Sequence, residues 1–239
     1  NAHLFFSSAS DSFLLDADQD LRDILPVHLE RYLIADDVEI ADVTDQFAIF
    51  HFFGPIAPPL PNEWRILRAR RFTTVGWDIW VNSQDRERAK EKLSGQFPIC
   101  TPEQTEVLRI ESGIPGWGRE LTEEIIPIEA NLEERCIDYE KGCYIGQEVI
   151  SRIKMSGQTN KRLCGLLARD GGSIALGAQL RVPDGGKEAG WITSAIWSAK
   201  MNRQMALGFV KRGFNSPGSL LHGLEAEPNS VEVVSLPFV

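Results

Sequence analysis

GWITSAIWSAKMNRQMALGFV, residues 190–210, holds two apolar runs, GWITSAIW and MALGFV, each strand-sized and rich in β-branched, aromatic or small residues. The signature recurs on both sides, as LCGLLA (163–168) and AQLRV (178–182) before it and SLLHG (219–223) and VEVVSL (231–236) after it. RDGG and PDGG punctuate the series as turns. Short strands at this spacing predict a small antiparallel barrel or sandwich over residues 157–239.

Upstream, the pattern changes. KGCYIGQE (141–148) leads into a helix expected through Ile150 to Met155, and a boundary is expected near Ser156-Gly157-Gln158. Residues 1–156 read as a first region. It opens on HLFFSS and FLLDA, two apolar runs joined by small polar residues, which predict a β-hairpin. In DADQDLRDILPVHLERYLI, Leu21, Ile24, Leu25, Leu29 and Leu33 recur at helical spacing, with Asp16 or Asp18 as cap and Pro26 forcing a kink or a fresh start. DVEIADV, QFAIFHFFG, WRILRARRF and GWDIWV read as strands. Ser83 is the expected cap of QDRERAKEKL, and Thr101-Pro102-Glu103-Gln104 supplies a capping box and an early proline for TPEQTEVLRIES. This order predicts a compact α+β subdomain over about 46–112.

Composition narrows the function classes. The 239 residues are 43% hydrophobic and 25% charged, enough for two globular units with real cores. No apolar run reaches the eighteen residues that a membrane helix needs. Thirty-four acidic against 25 basic residues, a net charge of -9, argue against a broad surface for duplex nucleic acid. Cys100, Cys136, Cys143 and Cys164 form no CxxC pair and no metal spacing with the four histidines, so neither zinc site nor disulfide framework is expected. Reduced thiols fit a reducing compartment. The chain opens on Asn1 rather than Met, so no targeting signal is judged.

Three groups of residues could carry chemistry. Cys143 lies between Gly142 and Gly146 with Lys141 beside it. A neighbouring cation favours a thiolate, so a reactive thiol is one reading. A small buried hydrophobe between Tyr144 and Ile145 is the other. Arg109 and Glu111 stand at the end of a helix that should stop at Gly113. A carboxylate there can pair with adjacent N–H donors such as a pterin or guanine edge offers, while a solvated Arg-Glu pair is the plainer reading. Trp117, in the glycine-rich turn, could stack on a ring, whereas Trp64, Trp77 and Trp80 read as packing residues. Arg65, Arg68 or Arg70 of RILRARRF face solvent on an expected strand, with a site for the carboxylates of an acidic tail as second reading.

KGCYIGQE resembles the K-G-C-Y-x-G-Q-E signature of the YgfZ-type folate-binding proteins, of the superfamily of the glycine-cleavage T-protein, an aminomethyltransferase. RIESGIPGWGRELTEEIIPIEANL (109–132) is similar to the superfamily's R-x-E-x-G...G-x-E-L...P-x-E-A-x-L segment. GWITSA resembles a G-x-(I/V)-T-S strand of its barrel, and LPFV its last strand. The resemblance implies an α+β fold, a T-protein-like multi-domain ring with a ferredoxin-like subdomain and a C-terminal antiparallel β-barrel. It implies tetrahydrofolate or a derivative as ligand, with Glu111 at the pterin edge and Arg109, Trp117 and Tyr144 around it. It also implies Cys143 with Lys141 as the functional thiol, and iron-sulfur client or assembly proteins as partners, in the cytoplasm or alternatively the mitochondrial matrix. One-carbon transfer to folate is the alternative activity. Two departures stand out. The family's Asn-x-x-Gly-Lys-type strand and the T-protein's following aspartate have no counterpart at NAHLFF, so the part of the ligand site that they form in the family is not expected in this sequence. Gly157-Gln158 stands where Gly-His is more usual.

Overall fold

The computed structural model describes residues 2–7, 12–169, 171–183, 186–223 and 229–238. They divide into two compact units, Asn1–Ile99 and Cys100–Val239. The sequence placed its boundary near 156–157 instead. The difference comes from the helix over 102–111, whose Ile110 is buried in the second unit with Leu163, Leu207 and Phe209.

In the first unit, β1 (Ala2–Ser7) and β2 (Ser12–Ala17) pair antiparallel, as the apolar runs predict. The expected single helix after them is broken. A 3-10 turn at Gln19–Leu21 is followed by α1 (Ile24–Glu30), with Pro26 in its first turn, where the missing N–H costs nothing. Asp16 caps neither element, being part of β2. DVEIADV forms no strand and runs as irregular chain with Val38 exposed, because no neighbouring strand pairs with it. β3 (Phe47–Phe53), β4 (Arg65–Ala69) and β5 (Gly76–Asn82) do form, as an antiparallel sheet in the order β3-β5-β4. α2 (Arg86–Ser94) follows a 3-10 turn. Ser83 does not cap it; the Ser83 hydroxyl donates instead to the Asp45 carbonyl. Alternation along β5 sends Ile79 and Val81 into a core with Trp64 and Ala89, and Asp78 and Trp80 to the other face.

The second unit begins with α3 (Pro102–Glu111), which carries the predicted capping box: Gln104 N–H donates to Thr101 Oγ1 at 3.3 Å and Thr101 N–H to Gln104 Oε1 at 2.9 Å. α4 (Glu133–Cys136) and α5 (Gln147–Ser156) lead into β6 (Lys161–Ala168), β7 (Gln179–Arg181), β8 (Glu188–Ser198), β9 (Arg203–Lys211), β10 (Leu220–Gly223) and β11 (Asn229–Val234). These six close into a barrel in the order β10-β11-β6-β9-β8-β7. The RDGG and PDGG turns lie partly outside the described residues. LPFV is not a last strand. Its Leu236 and Phe238 pack as a tail, with Phe238 N–H donating to the Glu111 carbonyl at 3.0 Å.

MALGFV is apolar throughout because both faces of β9 are buried. Ala206 and Val210 fill the barrel with Leu166, Leu180, Ile192 and Val233, whereas Leu207 and Phe209 face a second cluster containing Ile110 of α3, Leu163 and Trp191. A helix thus covers one outer wall of the barrel. That wall carries the candidate site.

Candidate functional site

The register between β8 and β9 shifts between Ile192 and Ser194. One extra residue on a strand reverses the side-chain alternation beyond it. Before the bulge, Ile192 points into the barrel and Trp191 toward the α3 cluster; after it, Ala195 points in, and Ile196 joins the α3 cluster. Ser194 and Ser198 share the parity of Ile196, so the bulge is what brings both hydroxyls to the helix-covered wall.

Each hydroxyl meets a carboxylate there. Ser194 Oγ donates to Glu120 Oε1 at 2.6 Å, and Ser198 Oγ donates to Glu111 Oε1. Glu120 is 0% exposed and Glu111 7%. A buried carboxylate stays charged only when donors replace water. Glu120 has them: Arg109 Nη1 at 3.0 Å and Gly116 N–H at 2.8 Å bind its Oε2. Arg109 spends all five donors inside the unit, to both oxygens of Glu106, the Ile114 carbonyl, Glu120 and Ser194 Oγ. Burial lowers the guanidinium pKa, but the hydrogen bond to Glu106 and the charge of Glu120 outweigh it, and Arg109 sits above its ordinary value. Glu111 differs, since its Oε2 accepts nothing among the described residues. Trp117, half-buried in the same loop, forms a backbone bridge with Leu121.

The second group is built on a turn. Asp138 Oδ1 accepts the backbone N–H of Glu140 at 2.8 Å and of Lys141 at 3.1 Å, fixing the chain as it approaches Cys143. Gly146, at φ 82°, sets the left-handed step from which α5 starts. Cys143 and Lys141 are exposed, Lys141 Nζ lying 5.6 Å from the Tyr144 ring centre. The Tyr144 hydroxyl is buried without a hydrogen-bond partner among the described residues. Nearby, Lys154 Nζ sits 3.2 Å from the Tyr139 ring centre, and desolvation with the hydrogen bond to Glu133 pushes the Tyr139 phenol up to about 12. Cys164, by contrast, is buried in the barrel, and desolvation pushes its thiol up to about 11. The structure therefore groups Arg109 and Glu111 with each other, and Lys141, Cys143 and Tyr144 with one another. Among the described residues no hydrogen bond, ion pair or ring contact joins the two groups.

Residues 161–239 match the glycine cleavage T-protein C-terminal barrel domain. The T-protein fold extends further. An aminomethyltransferase T structure from Bartonella henselae superposes with a TM-score of 0.67 at 23% identity, over 75% of this chain and 50% of that one. An aminomethyltransferase of Aquifex aeolicus is 37% identical over 135 residues, 56% of this chain and 36% of the relative. A mitochondrial protein of Dictyostelium discoideum named as an IBA57 homolog, an iron-sulfur cluster assembly factor, is 26% identical over 174 residues, 66% of this chain and 41% of the relative. Together these matches show a T-protein-like barrel at residues 161–239 and a T-protein-like fold. The chain spans less than half the length of these two curated relatives.

Sequence reasoning assigned no role to Ser194 and Ser198, although both lie in or beside GWITSA, and a polar residue after an alternating apolar run was the available signal. In the first unit it missed a buried charged cluster. Asp78, 0% exposed, accepts from His51 Nδ1 and Arg71 Nε at 2.8 Å and from Arg71 Nη2 at 2.9 Å, while Arg71 also binds Asp16. Burial pushes the Asp78 carboxyl up, but the hydrogen bonds from His51 and Arg71 prevail and hold it below its usual range. Among the described residues there is no cluster of three or more metal-ligating side chains, and no helix long and apolar enough to cross a membrane.

Proposed function

We propose that this protein is a tetrahydrofolate-binding accessory factor for the assembly or repair of iron-sulfur proteins, of the YgfZ type, acting through the Cys143 thiol. The observation that carries the reading is the exposure of Cys143 on a turn fixed by Asp138 and Gly146, with Lys141 beside it. A thiol placed this way is open to a partner protein, whereas Cys164 is enclosed. The likeness to an iron-sulfur cluster assembly factor over 66% of the chain supports the same reading. The working compartment is the cytoplasm, with the mitochondrial matrix as the alternative.

The residues present fit a pterin in part. Glu111 offers one free oxygen, Oε2, to an N–H of the ring, and Trp117 and Tyr144 offer aromatic faces. Arg109 has no donor left for a ligand, so its role is to position the α3 end that carries Glu111. Bound folate would supply a carrier for a one-carbon unit.

The aminomethyltransferase relatives favour a second reading, folate-dependent one-carbon transfer. That chemistry needs an acid-base group close to the reacting nitrogen. Glu120 is committed to Arg109, Gly116 and Ser194, which counts against it in that role.

Calorimetric titration with tetrahydrofolate tests the ligand. A saturable heat is expected, weakened about tenfold in Glu111→Gln, the loss of a charge-assisted hydrogen bond. No signal at millimolar ligand would sink the folate assignment. Turnover of a methylene donor to methylene-tetrahydrofolate would put the transferase reading first.

A further inference from the structure

In the first unit a cavity of about 350 Å³ is lined by Leu14, Phe47, Trp64, Arg65 and Trp80, with Glu63 and Asp85 among the polar residues that complete its lining. Its volume falls at the lower end of small-molecule sites, and it combines aromatic surface with a few polar groups, as such sites do.

Two features of the lining bear on what it would hold. Trp64 is 4% exposed, and its indole N–H is shut off from solvent with no hydrogen-bond partner among the described residues. That N–H is therefore turned away from the cavity, and what Trp64 contributes to the lining is ring surface, with the Arg88 guanidinium 5.8 Å from the ring centre. Arg65, on β4 opposite Trp80, is exposed and makes no ion pair among the described residues. The two acids are already bridged by a different cation: Arg88 binds Glu63 at 3.0 Å and Asp85 at 3.3 Å. The one uncompensated charge on the lining is therefore positive. It stands on a chain whose net charge is -9, where an anion meets general repulsion and binds only through a local feature.

We propose that this cavity binds a small aromatic carboxylate, with one ring or a fused pair of rings against Phe47, Trp64 and Trp80 and the carboxylate on the Arg65 guanidinium. Aromatic walls select a planar ring, and an arginine fork selects the planar anion. All of its lining residues belong to the first unit, whereas Glu111 and Cys143 belong to the second, so its test is independent of the folate reading.

The test uses the full chain labelled with ¹⁵N, whose six tryptophans give separate indole cross-peaks, the Trp64 peak being assigned by triple-resonance spectra. Indole-3-acetate is the probe and tryptamine, a similar ring carrying a cation, the control. Indole-3-acetate is expected to shift the Trp64 indole peak saturably, and tryptamine is not. Arg65→Ala should weaken binding about tenfold, the usual loss for one charge-assisted hydrogen bond. Arg65 is exposed, so the fold survives this change, and Arg65→Gln provides a second form of it. Arg68→Ala, on the opposite face of β4, should leave binding unchanged. A Trp64 peak unmoved at about 10 mM probe, a weaker grip than any useful site has, overturns the proposal. So do equal binding of tryptamine and an Arg65→Ala affinity equal to that of the parent chain.

Discussion

At the scale of single residues, the fold depends most on charges that have left water. Asp78 lies in GWDIWV, an apolar strand where a carboxylate is out of place unless partners await it. Removing it in Asp78→Ala leaves Arg71 facing Asp16 alone. With 23% of the Arg71 side chain still in solvent, the expected cost is about 3 kcal/mol, the lower end for breaking a buried pair. Urea unfolding at neutral pH measures it. The pH dependence has a defined sign. The folded carboxyl is held below its unfolded value, so its contribution is complete above about pH 4, the ordinary Asp value, and is lost as pH falls through the folded value. Asp78→Ala should therefore flatten the acid limb of the stability profile. The sequence exposed the strand but not the cluster, because His51 meets Asp78 only through the β3–β5 register, and Arg71, beyond the end of β4, links Asp78 to Asp16 only in the folded chain. Cys143 was left open for a similar reason: residue type and neighbours did not decide between buried and exposed, and the turn did.

Elements show where local chemistry was enough and where it was not. The α3 capping box and the Gly113 stop are contained within the thirteen residues from Thr101 to Gly113, and both were legible. The six barrel strands were legible too, since each is a short run bounded by turn formers. DVEIADV has strand composition and no strand beside it, which composition cannot reveal. The bulge at Thr193 is equally hidden, yet it turns Ser194 and Ser198 toward Glu120 and Glu111. β8 offers a sharp test one turn earlier. A Cβ on Gly190 would stand 2.0 Å from the Phe209 carbonyl oxygen, at a φ of 154°. Gly190→Ala must push β8 from β9, and a loss of more than about 3 kcal/mol is expected, in the range reserved for severe backbone or core clashes. Thermal unfolding of the purified variant checks it, and a melting temperature equal to that of the parent would refute the close approach.

For the whole molecule, the division into units at Ile99 and Cys100 follows from which core α3 joins, a property of packing that periodicity along the chain does not carry. The architecture itself, an antiparallel barrel with an α+β companion, was readable because each layer repeats its own spacing. Function rests on fewer residues. Arg109 looks like a site residue in sequence and is a strut in the structure, bound to the buried Glu120, whereas Cys143 is presented to the outside. The most direct test of the proposed role is rescue of an iron-sulfur enzyme's activity in cells lacking their own protein of this type, comparing the parent chain, Cys143→Ala and the exposed-cysteine control Cys136→Ala at matched expression. Full rescue by the parent and the control with loss of rescue in Cys143→Ala is the predicted result; rescue by Cys143→Ala equal to the parent's would contradict it.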